Sequence, residues 1–323
     1  MRVLAQITTF NAVDLIDRTI EALQQQTRPV DEILVVDNAS SDGTLQRPSV
    51  RNVTVIRHQE NSGTSGAIAT GMRFAMQQGY DWIWVLDHDS MVLSDALERL
   101  LELYNRWPQR LQIETGFLAC MARNQADNKF KYGDMFTRRG IEVVKPPVAE
   151  RHYRCHAYQW SGSLYRIAAV REIGLPNPDY FIDIDDVEYG YRLMKGGYKN
   201  FVHQDSILVH NVRGNPSLIP INLKVGPMKV RAYEFPPVRC YYYCRNSLYF
   251  ILYELEKGRF GLLSGVLWRV RRSGHVGPIR GVVWNVLLLT MNFLLRPRNH
   301  VRQIRACLRG TWHGVIGNIA ARY

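Results

Sequence analysis

The sequence has few cysteines, with only five in 323 residues. So small and odd a number does not suit a disulfide framework in a chain of this length, which indicates a reducing compartment. A hydrophobic content of 46% and a charged content of 22% are ordinary for a globular protein and exclude extensive disorder. The chain turns polar directly after Ile7, and this predicts that it has no signal peptide.

Acidic residues are absent from the C-terminal part of the chain. Residues 257–323 hold 12 basic side chains and no acidic one, whereas residues 1–256 hold 29 of each sign. The whole net charge of +12 therefore belongs to the last 67 residues. A neutral body with a basic tail predicts that the tail meets an anionic partner, either a phospholipid surface or a nucleic acid.

Apolar runs long enough to span a membrane are also missing. Residues 282–295 form an apolar run of fourteen, whereas a transmembrane helix needs about 20. Farther on, an apolar helical face lies beside a basic one, with Val301, Ile304 and Leu308 next to Arg302, Arg305 and Arg309. This pattern is typical of an interfacial amphipathic helix, although a helical subdomain with its arginines in water would have the same pattern.

Short apolar runs alternate with helical patterns in the first half of the chain. The predicted strands are Val3–Ile7, Ile33–Val36, Val53–Ile56 and Trp82–Leu86, and the predicted helices are Leu15–Gln25, Ala67–Gln77 and Ser94–Tyr104. Such alternation predicts an α/β fold with a mostly parallel sheet that is covered on both faces. A further helix is predicted to start at Ser163 and to end before Gly174.

Two stretches interrupt this pattern. Residues 123–156 are polar and rich in arginine and lysine, and we predict a β-ribbon or an acceptor-side lid there. Residues 211–239 are broken by prolines and glycines and predict a mobile or irregular connection, followed by a helical segment. We therefore divide the chain into a catalytic domain, residues 1–230, and a basic helical region, residues 231–323.

Acidic residues follow two of the predicted strands. Asp37 comes directly after one strand, and Asp87 and Asp89 come directly after another. In an open parallel sheet, ligands bind beyond the C-terminal ends of the strands. Two carboxylates in such a turn can hold a divalent cation, and the cation a diphosphate, although the acids of a solvated turn can also cap a helix. His210, which ends a later apolar run, is a candidate third ligand.

Polar turn residues and glycines border the next helix. Residues 37–44 can close Asx-turns, or they can present hydrogen-bond acceptors to a base and a ribose. Gly63 and Gly66 lie at a junction between a strand and a helix, where exposed backbone N–H groups can bind a phosphate or a sugar. The spacing matches neither the dinucleotide fingerprint nor the Walker A loop, which disfavours a dehydrogenase or an ATPase.

The six residues from Asp183 to Glu188 include four acidic ones, just before a predicted helix. Acids in a first helical turn complement the helix dipole, and this alone could account for them. Crowded carboxylates also raise one another's pKa, as a general base requires. The residues by themselves leave both interpretations open.

Taken together, these segments resemble glycosyltransferase family 2, whose members are inverting enzymes with the nucleotide-sugar GT-A fold. The matching pieces span about residues 3–215 and are, in order, Ile7–Asn11, Gln26–Pro29, Glu32–Thr44, Asn61–Gly63 with Gly66 and Gly71, Trp84–Ser90, Trp160–Ser163, Asp185-Asp186 before Arg192, and Gly197-Tyr198. One departure is Thr70, where many members of the family have asparagine, and this leaves the donor contacts of that helix open.

The resemblance implies a role for each matching residue. The donor and its nucleotide would contact Thr9, Asn11, Asp37, Asn61, Gly63, Gly66, Asp87 and His88. The acceptor site would include Trp160, Gly162 and Asp185. A divalent cation, Mn²⁺ or Mg²⁺, would be held by Asp87, Asp89 and His210. Asp186 falls on the position of the family's catalytic base.

Within the family, residues 239–246 and 309–314 look like those of rhamnosyltransferases, and galactofuranosyltransferases share much of the pattern, including Asp185–Tyr189. The two groups cannot be separated from these residues. The resemblance implies a dTDP- or UDP-linked sugar donor and a lipid-linked glycan acceptor in cell-surface polysaccharide synthesis. It also implies a cytoplasmic enzyme on the inner face of the plasma membrane, attached through residues 257–323, and leaves a homo-oligomer open.

Two other classes of protein fit less well. A sugar nucleotidyltransferase would need a glycine-rich phosphate loop with a basic residue after the first strand, and Thr8–Asn11 does not provide one. A nucleic-acid-binding protein would interleave its arginines with stacking aromatic residues, whereas the arginines of this tail alternate with aliphatic runs. We therefore expect no nucleic-acid partner.

Overall fold

The computed structural model describes residues 1–125, 128–137, 140–144, 150–210, 219–225, 228–234, 236–254 and 301–323. The strands are β1 (Val3–Thr9), β2 (Glu32–Asp37), β3 (Thr54–Arg57), β4 (Trp82–Asp87), β5 (Ser90–Val92), β6 (Thr115–Asn124), β7 (Asp134–Thr137), β8 (Gly140–Val143), β9 (His152–Cys155), β10 (Ser163–Arg166), β11 (Lys199–His210), β12 (Ile219–Val225) and β13 (Met228–Glu234). The helices are α1 (Ile16–Gln24), α2 (Gly63–Gln77), α3 (Ala96–Arg106), α4 (Gln109–Ile113), α5 (Ile167–Ile173), α6 (Asp185–Lys195), α7 (Pro237–Tyr249) and α8 (Val301–Val315). The predicted apolar run at 282–295 lies outside the described residues.

The main sheet has the strand order β3-β2-β1-β4-β10-β6-β11-β5, with β9 beside β11. Its first four strands are parallel, and β1 is buried along its whole length. The strands and helices predicted in the first half of the chain are confirmed, although α2 begins at Gly63, four residues before its predicted start. The sheet as a whole is mixed, because β10, β5 and β9 run antiparallel to the other strands.

The helix predicted from Ser163 was wrong in its first turn. Residues Ser163–Arg166 form β10, and the helix α5 starts only at Ile167. Leu164 lies between Trp84 of β4 and Leu118 of β6, hydrogen-bonded to strands on both sides. Pairing across the sheet therefore outweighs the helical spacing of the apolar residues, a common way for tertiary contacts to override a local pattern.

Both stretches that interrupt the alternating pattern, residues 123–156 and 211–239, contain β-strands. Residues 123–156 include a two-stranded β7–β8 ribbon, in agreement with the prediction, and β9, which joins the main sheet. The stretch at 211–239 contains the antiparallel pair β12–β13, so the prediction of an irregular connection was wrong there. Its prolines and glycines leave room for two strands of seven residues each.

The chain divides into two compact units. The first comprises residues 1–135, 143–178 and 186–213 and contains the main sheet. The second comprises residues 136–142, 179–185 and 214–323 and contains α7 and α8. The domain boundary expected near residue 230 stays a prediction. Among the residues that the structure describes, no helix is both long enough and apolar enough to cross a membrane.

Helices α7 and α8 of the second unit approach each other closely. A Cβ atom at Gly310 would collide with the carbonyl oxygen of Tyr241, and one at Gly314 would lie 2.6 Å from that of Arg245. Small residues therefore permit this packing. Ile304, which the sequence pattern groups with Val301 and Leu308, packs partly buried against the resulting core.

Candidate active site

The three predicted cation ligands come together at the C-terminal ends of β4 and β11. His210 Nδ1 lies 3.3 Å from Asp89 Oδ1, and His210 Nε2 lies 3.9 Å from Asp87 Oδ2. Short strand β5 pairs with β11 and sets His210 opposite Ser90, which fixes Asp89 beside the imidazole. One ligand atom from each residue lies within 4.8 Å of the other two, and the described residues hold no second group of this kind. Two carboxylate oxygens and an imidazole nitrogen suit Mn²⁺ or Mg²⁺.

Electrostatics at this triad favour a positive charge. Burial raises the pKa of Asp87, against the opposing charge of His210. Burial also acts to raise the pKa of Asp89, but the hydrogen bond and charge of His210 outweigh it and lower that pKa. For His210 burial acts to lower the pKa, and the Asp89 hydrogen bond with the charges of both aspartates raises it overall. The two half-buried acids thus stabilise positive charge between them, whether a proton on His210 or a cation that displaces that proton.

The loop that follows β9 contacts the Asp87–Asp89 turn through Ser161 and the neighbouring backbone. The backbone N–H of Asp87 donates to Ser161 Oγ at 3.1 Å, and the Ser90 and Ser161 hydroxyls are 2.6 Å apart. Gly162 adopts a φ of +86° and donates its N–H to the carbonyl of Val85 at 2.8 Å. A side chain at Gly162 would be strained in that conformation, and this accounts for the glycine.

Trp160 and His88 are held mainly by internal contacts. Trp160 is 5% exposed and packs against Tyr165 and Tyr189, with ring centroids 5.3 and 5.2 Å away. The backbone of His88 is fixed at both ends, since its N–H donates to Thr8 and its carbonyl accepts from the Thr19 hydroxyl. The predicted ligand roles of Trp160 and His88 stay predictions.

Asp37 ends β2 and anchors the turn that follows. Its carboxylate is completely buried, accepts from the N–H of Ser40 and lies 3.5 Å from Arg57 Nε. Asn11, with a φ of +49°, donates its backbone N–H to the Ser40 hydroxyl and accepts from the N–H of Ser41. The ends of β1 and β2 are thereby joined in one polar surface, with Asn11 exposed on it.

Asn38 is a residue whose importance the sequence did not reveal. Its amide donates to the carbonyl of Gly63 at 3.1 Å and accepts from the Ser62 hydroxyl at 2.9 Å. His58 lies 3.0 Å from Asn38 Oδ1 and, through its other nitrogen, 3.0 Å from the hydroxyl of Thr70. The departure at Thr70 therefore serves an internal network that fastens α2 to β2. Only the position of Asn38 next to Asp37 could have signalled this.

The glycine-rich start of α2 is shaped by close contacts. The Asn61 side chain accepts from the N–H of Gly63 at 2.8 Å, and Gly63 has a φ of +73°. A Cβ atom on Gly66 would lie 2.5 Å from Ser62 Oγ, so no larger residue fits without a shift. Thr9 is completely buried. The ligand contacts expected of these residues stay predictions, and their structural roles are evident.

Asp185 and Asp186 open helix α6. Asp186 Oδ1 accepts from the N–H of Val187 at 2.8 Å. One turn later, a Cβ on Gly190 would come 2.7 Å from Ala157, whose backbone pairs with Asp134. This chain of contacts brings Asp134 to the same face as Asp186, since residues four apart in a helix share a face.

Asp134 has a strongly shifted acidity. Burial, and then the negative charge of Asp186, raise the pKa of Asp134 to about 6, against the opposing charge of Lys131. Lys131 also acts electrostatically on Asp87 and His210. Asp134 and Lys131 were both missed, because the polar segment that carries them has no apolar pattern to indicate where its side chains lie.

The chain is similar to known glycosyltransferases. Residues 5–147 match the family model described as glycosyl transferase family 2. The galactofuranosyltransferase GlfT1 of Mycobacterium tuberculosis is 27% identical over 215 residues, covering 64% of this chain and 69% of that protein. An N-acetylglucosaminyl-diphospho-decaprenol L-rhamnosyltransferase of the same organism is 27% identical over 232 residues, covering 63% of this chain and 74% of that protein.

A solved structure shares the fold. GalNAc-T7, crystallised with UDP, GalNAc and Mn²⁺, superposes with a TM-score of 0.58 at 13% identity. The match covers 88% of this chain and 54% of that one, so the chain spans about half the length of that neighbour. Together with the family match, this likeness confirms the predicted GT-A fold.

Proposed function

We propose that this chain, a glycosyltransferase whose residues 5–147 form a family 2 domain, moves one sugar from a nucleotide diphosphate donor to a hydroxyl of a lipid-linked glycan. The observation that carries the proposal is the Asp87–Asp89–His210 triad at the sheet edge, with a second acidic pair at Asp134 and Asp186. The two groups supply the two requirements of the reaction, charge neutralisation for a diphosphate and a base for a hydroxyl.

The donor side uses side chains at the strand ends. A divalent cation held by Asp87, Asp89 and His210 would supply positive charge to the diphosphate as it leaves. The Lys131 ammonium adds positive charge on the same side, because its field reaches Asp87 and His210. Asp37 fixes the turn on which the base of the nucleotide would lie, because its buried carboxylate accepts from the N–H of Ser40.

The acceptor side needs a base, because a sugar hydroxyl holds its proton at neutral pH. The Asp186 carboxylate takes that proton while the acceptor oxygen bonds to the anomeric carbon and the bond from that carbon to the diphosphate oxygen breaks. Asp134 lies close enough that the negative charge of Asp186 contributes to the raised pKa of Asp134. Attack opposite the leaving group inverts the anomeric centre.

The transferred sugar is proposed to be rhamnose, with galactofuranose as the alternative. Relatives at 27% identity carry one name or the other, so identity alone does not favour either sugar. The resemblance of residues 239–246 and 309–314 to rhamnosyltransferases supports the first choice. The acceptor class rests on the relative whose name gives a diphospho-decaprenol substrate.

The partner of the basic region is proposed to be the inner face of the plasma membrane. One face of α8 packs on α7 through small residues, and the opposite face exposes five large apolar side chains, each between 44% and 62% exposed: Val301, Leu308, Trp312, Val315 and Ile316. Exposed Arg302, Arg305 and Arg309 flank this face. Apolar side chains bordered by arginine suit an anionic bilayer interface.

The function is tested by thermal shift with dTDP-rhamnose, UDP-galactofuranose and GDP-mannose, each with Mn²⁺, followed by turnover on a polyprenyl-diphosphate-linked sugar. We expect one donor to raise the melting temperature and to be turned over with inversion. A chain that is stabilised by no nucleotide sugar would contradict the proposal.

Membrane attachment is tested by sedimentation with phosphatidylglycerol vesicles, using phosphatidylcholine vesicles and RNA as competing partners. Leu308→Asp should abolish sedimentation, whereas Leu93→Asp, at a residue that is also exposed, should leave it intact. Equal loss in both variants, or binding to RNA alone, would contradict the α8 surface.

A further inference from the structure

The segment that leads into α6 is strained. Within residues 179–185, Phe181, Asp183 and Ile184 have φ values of +65°, +65° and +70°. Non-glycine residues rarely adopt this left-handed conformation, and for a β-branched residue such as Ile184 it is an outlier. A residue in this conformation is strained and persists only where its surroundings hold it.

Helix α7 supplies what holds the segment, through Asn246. The amide nitrogen of Asn246 lies 2.8 Å from each of three carbonyl oxygens, those of Tyr180, Ile182 and Asp183. The side chain is completely buried, so these carbonyls are shielded from water and depend on it. One side chain therefore holds the backbone just before each of the residues with positive φ.

Arg245 adds a second set of contacts. Its guanidinium is completely buried and donates to the carbonyl oxygens of Asp179, at 2.5 Å, and of Tyr180, at 3.2 Å. The rings of Tyr241 and Tyr242 lie 5.6 and 4.7 Å from it. Because its acceptors are backbone carbonyls, this buried arginine fixes the path of the chain.

Arg239, one to two turns earlier in α7, makes the charged contact. Two of its nitrogens bond to the two carboxylate oxygens of Asp183, a forked pairing with directional specificity. Next to it, Phe181 stacks on Tyr242 with a centroid distance of 4.5 Å and an interplanar angle of 17°. The side chains of two of the three strained residues, Phe181 and Asp183, are thus also held by contacts with α7.

We propose that Arg239 and Asn246 are positioning residues for the base, because the segment they hold runs without interruption into Asp185 and Asp186. This inference rests on the proposed function of Asp186. Left-handed residues at 183 and 184 set the direction in which α6 begins, and so the place of the Asp186 carboxylate. A displacement of about 1 Å of a reacting group can cost on the order of 100-fold in rate.

The test is a set of steady-state measurements on Arg239→Gln, Arg239→Lys and Asn246→Ala. We expect Arg239→Gln and Asn246→Ala to lower kcat by about 10- to 100-fold, with the donor KM and nucleotide affinity within about twofold of wild type. Arg239→Lys, which keeps the charge but not the fork, should recover part of the lost kcat. Arg106→Gln, which breaks an exposed pair with Glu102, is the matched control and should change nothing.

A double-mutant cycle shows whether Arg239 acts through the segment. Asp183→Asn keeps a residue that tolerates the left-handed conformation and removes the charge, and combined with Arg239→Gln it should cost no more than Arg239→Gln alone. Additive losses would overturn the proposal, as would unchanged kcat in Arg239→Gln. A parallel fall in nucleotide affinity would show a merely structural role and would also overturn it. If Arg239→Gln does not fold, the kcat of Arg239→Lys decides by the same criteria.

Asp186→Asn is measured alongside to separate the two hypotheses. If Asp186→Asn turns over like wild type, the proposed base is wrong. If Asp186→Asn is inactive while the α7 variants keep full kcat, only the positioning role is wrong.

Discussion

The turn after β2 and the segment before α6 both carry acidic side chains, yet they are stabilised in opposite ways. In the first, Ser40 bonds to Asp37 and Thr44 to Asp42, within three residues of sequence. In the second, the partners in α7 lie 56 to 66 residues farther along the chain. The first turn combines bonds among its own residues with contacts to Asn11 and Arg57, whereas the second is held by a distant helix.

This difference separates two kinds of residue in the proposed site. Asp37 lies in a turn whose conformation follows from local turn chemistry, so substitutions there should affect only binding in its neighbourhood. Asp186 follows a segment whose conformation is imposed from outside, so its chemistry should be sensitive to residues that never contact a substrate. The predictions below test each side of this contrast.

The largest effect is expected for Asp186→Asn. An asparagine cannot accept the proton of the acceptor hydroxyl, so kcat should fall by about 10³-fold while nucleotide binding survives. Single-turnover transfer and nucleotide titration measure the two quantities. Asp95→Asn, which removes a half-buried pairing with Arg99, serves as the control, and normal turnover of Asp186→Asn would refute the assignment.

Removal of divalent cations should have the next largest effect. Chelation by EDTA should lower turnover by about 10²-fold or more, because the diphosphate would then leave without a cation at Asp87, Asp89 and His210. Either Mn²⁺ or Mg²⁺ should restore it, and Asp89→Asn should weaken that restoration. Turnover that is insensitive to the chelator would show that the triad serves another purpose.

The pH dependence of stability should report on Asp134. Its pKa in the folded chain, about 6, lies above the ordinary value of 3.8, so the ionised form opposes folding. The penalty is absent below about pH 4, grows up to about pH 6 and stays constant above, reaching at most about 3 kcal/mol. Asp134→Asn should therefore gain more unfolding free energy, relative to wild type, at pH 7.5 than at pH 4.5.

Urea denaturation at the two pH values measures this gain. An equal difference between Asp134→Asn and wild type at both pH values would mean that burial and the charge of Asp186 do not raise the pKa of Asp134 in solution.

The smallest effect is expected for Asp37→Asn. The substitution weakens the hydrogen bonds to Ser40 and the contact with Arg57, and it should raise the donor KM by about tenfold with little change in kcat. Steady-state kinetics with varied donor will show this. A fall in kcat at unchanged donor KM would contradict this prediction, because Asp37→Asn would then behave like a change in the segment held by α7.

Much of the donor side was predictable because its signals are local. The strands that end in Asp37 and Asp87 have continuous apolar runs, and parallel strands bring their ends to one edge of the sheet. His210 could be added because it too ends an apolar run. The triad that these rules predict is confirmed as a group of neighbouring side chains.

The remainder depends on pairings that sequence spacing does not encode. Leu164 fits a helix by periodicity and lies in a strand because β4 and β6 flank it. The pKa of Asp134 is raised by burial and then by the negative charge of Asp186, a residue far from it in sequence. The hydrogen bonds from α7 to residues 179–185 similarly join segments that are distant in sequence, and local sequence patterns do not predict them.

The strand order also determines when during folding this chain can bind a cation. Strands β1 to β4 come from residues 3–87, whereas His210 ends β11, which pairs with β6 and β5. Because a polypeptide is made from its N-terminus, the parallel strands can assemble before the third ligand has been synthesised. Closing the 123-residue loop between Asp87 and His210 is a slow, long-range step. Cation affinity thus arises late, and an incomplete chain carries the nucleotide-side strands without a finished catalytic centre.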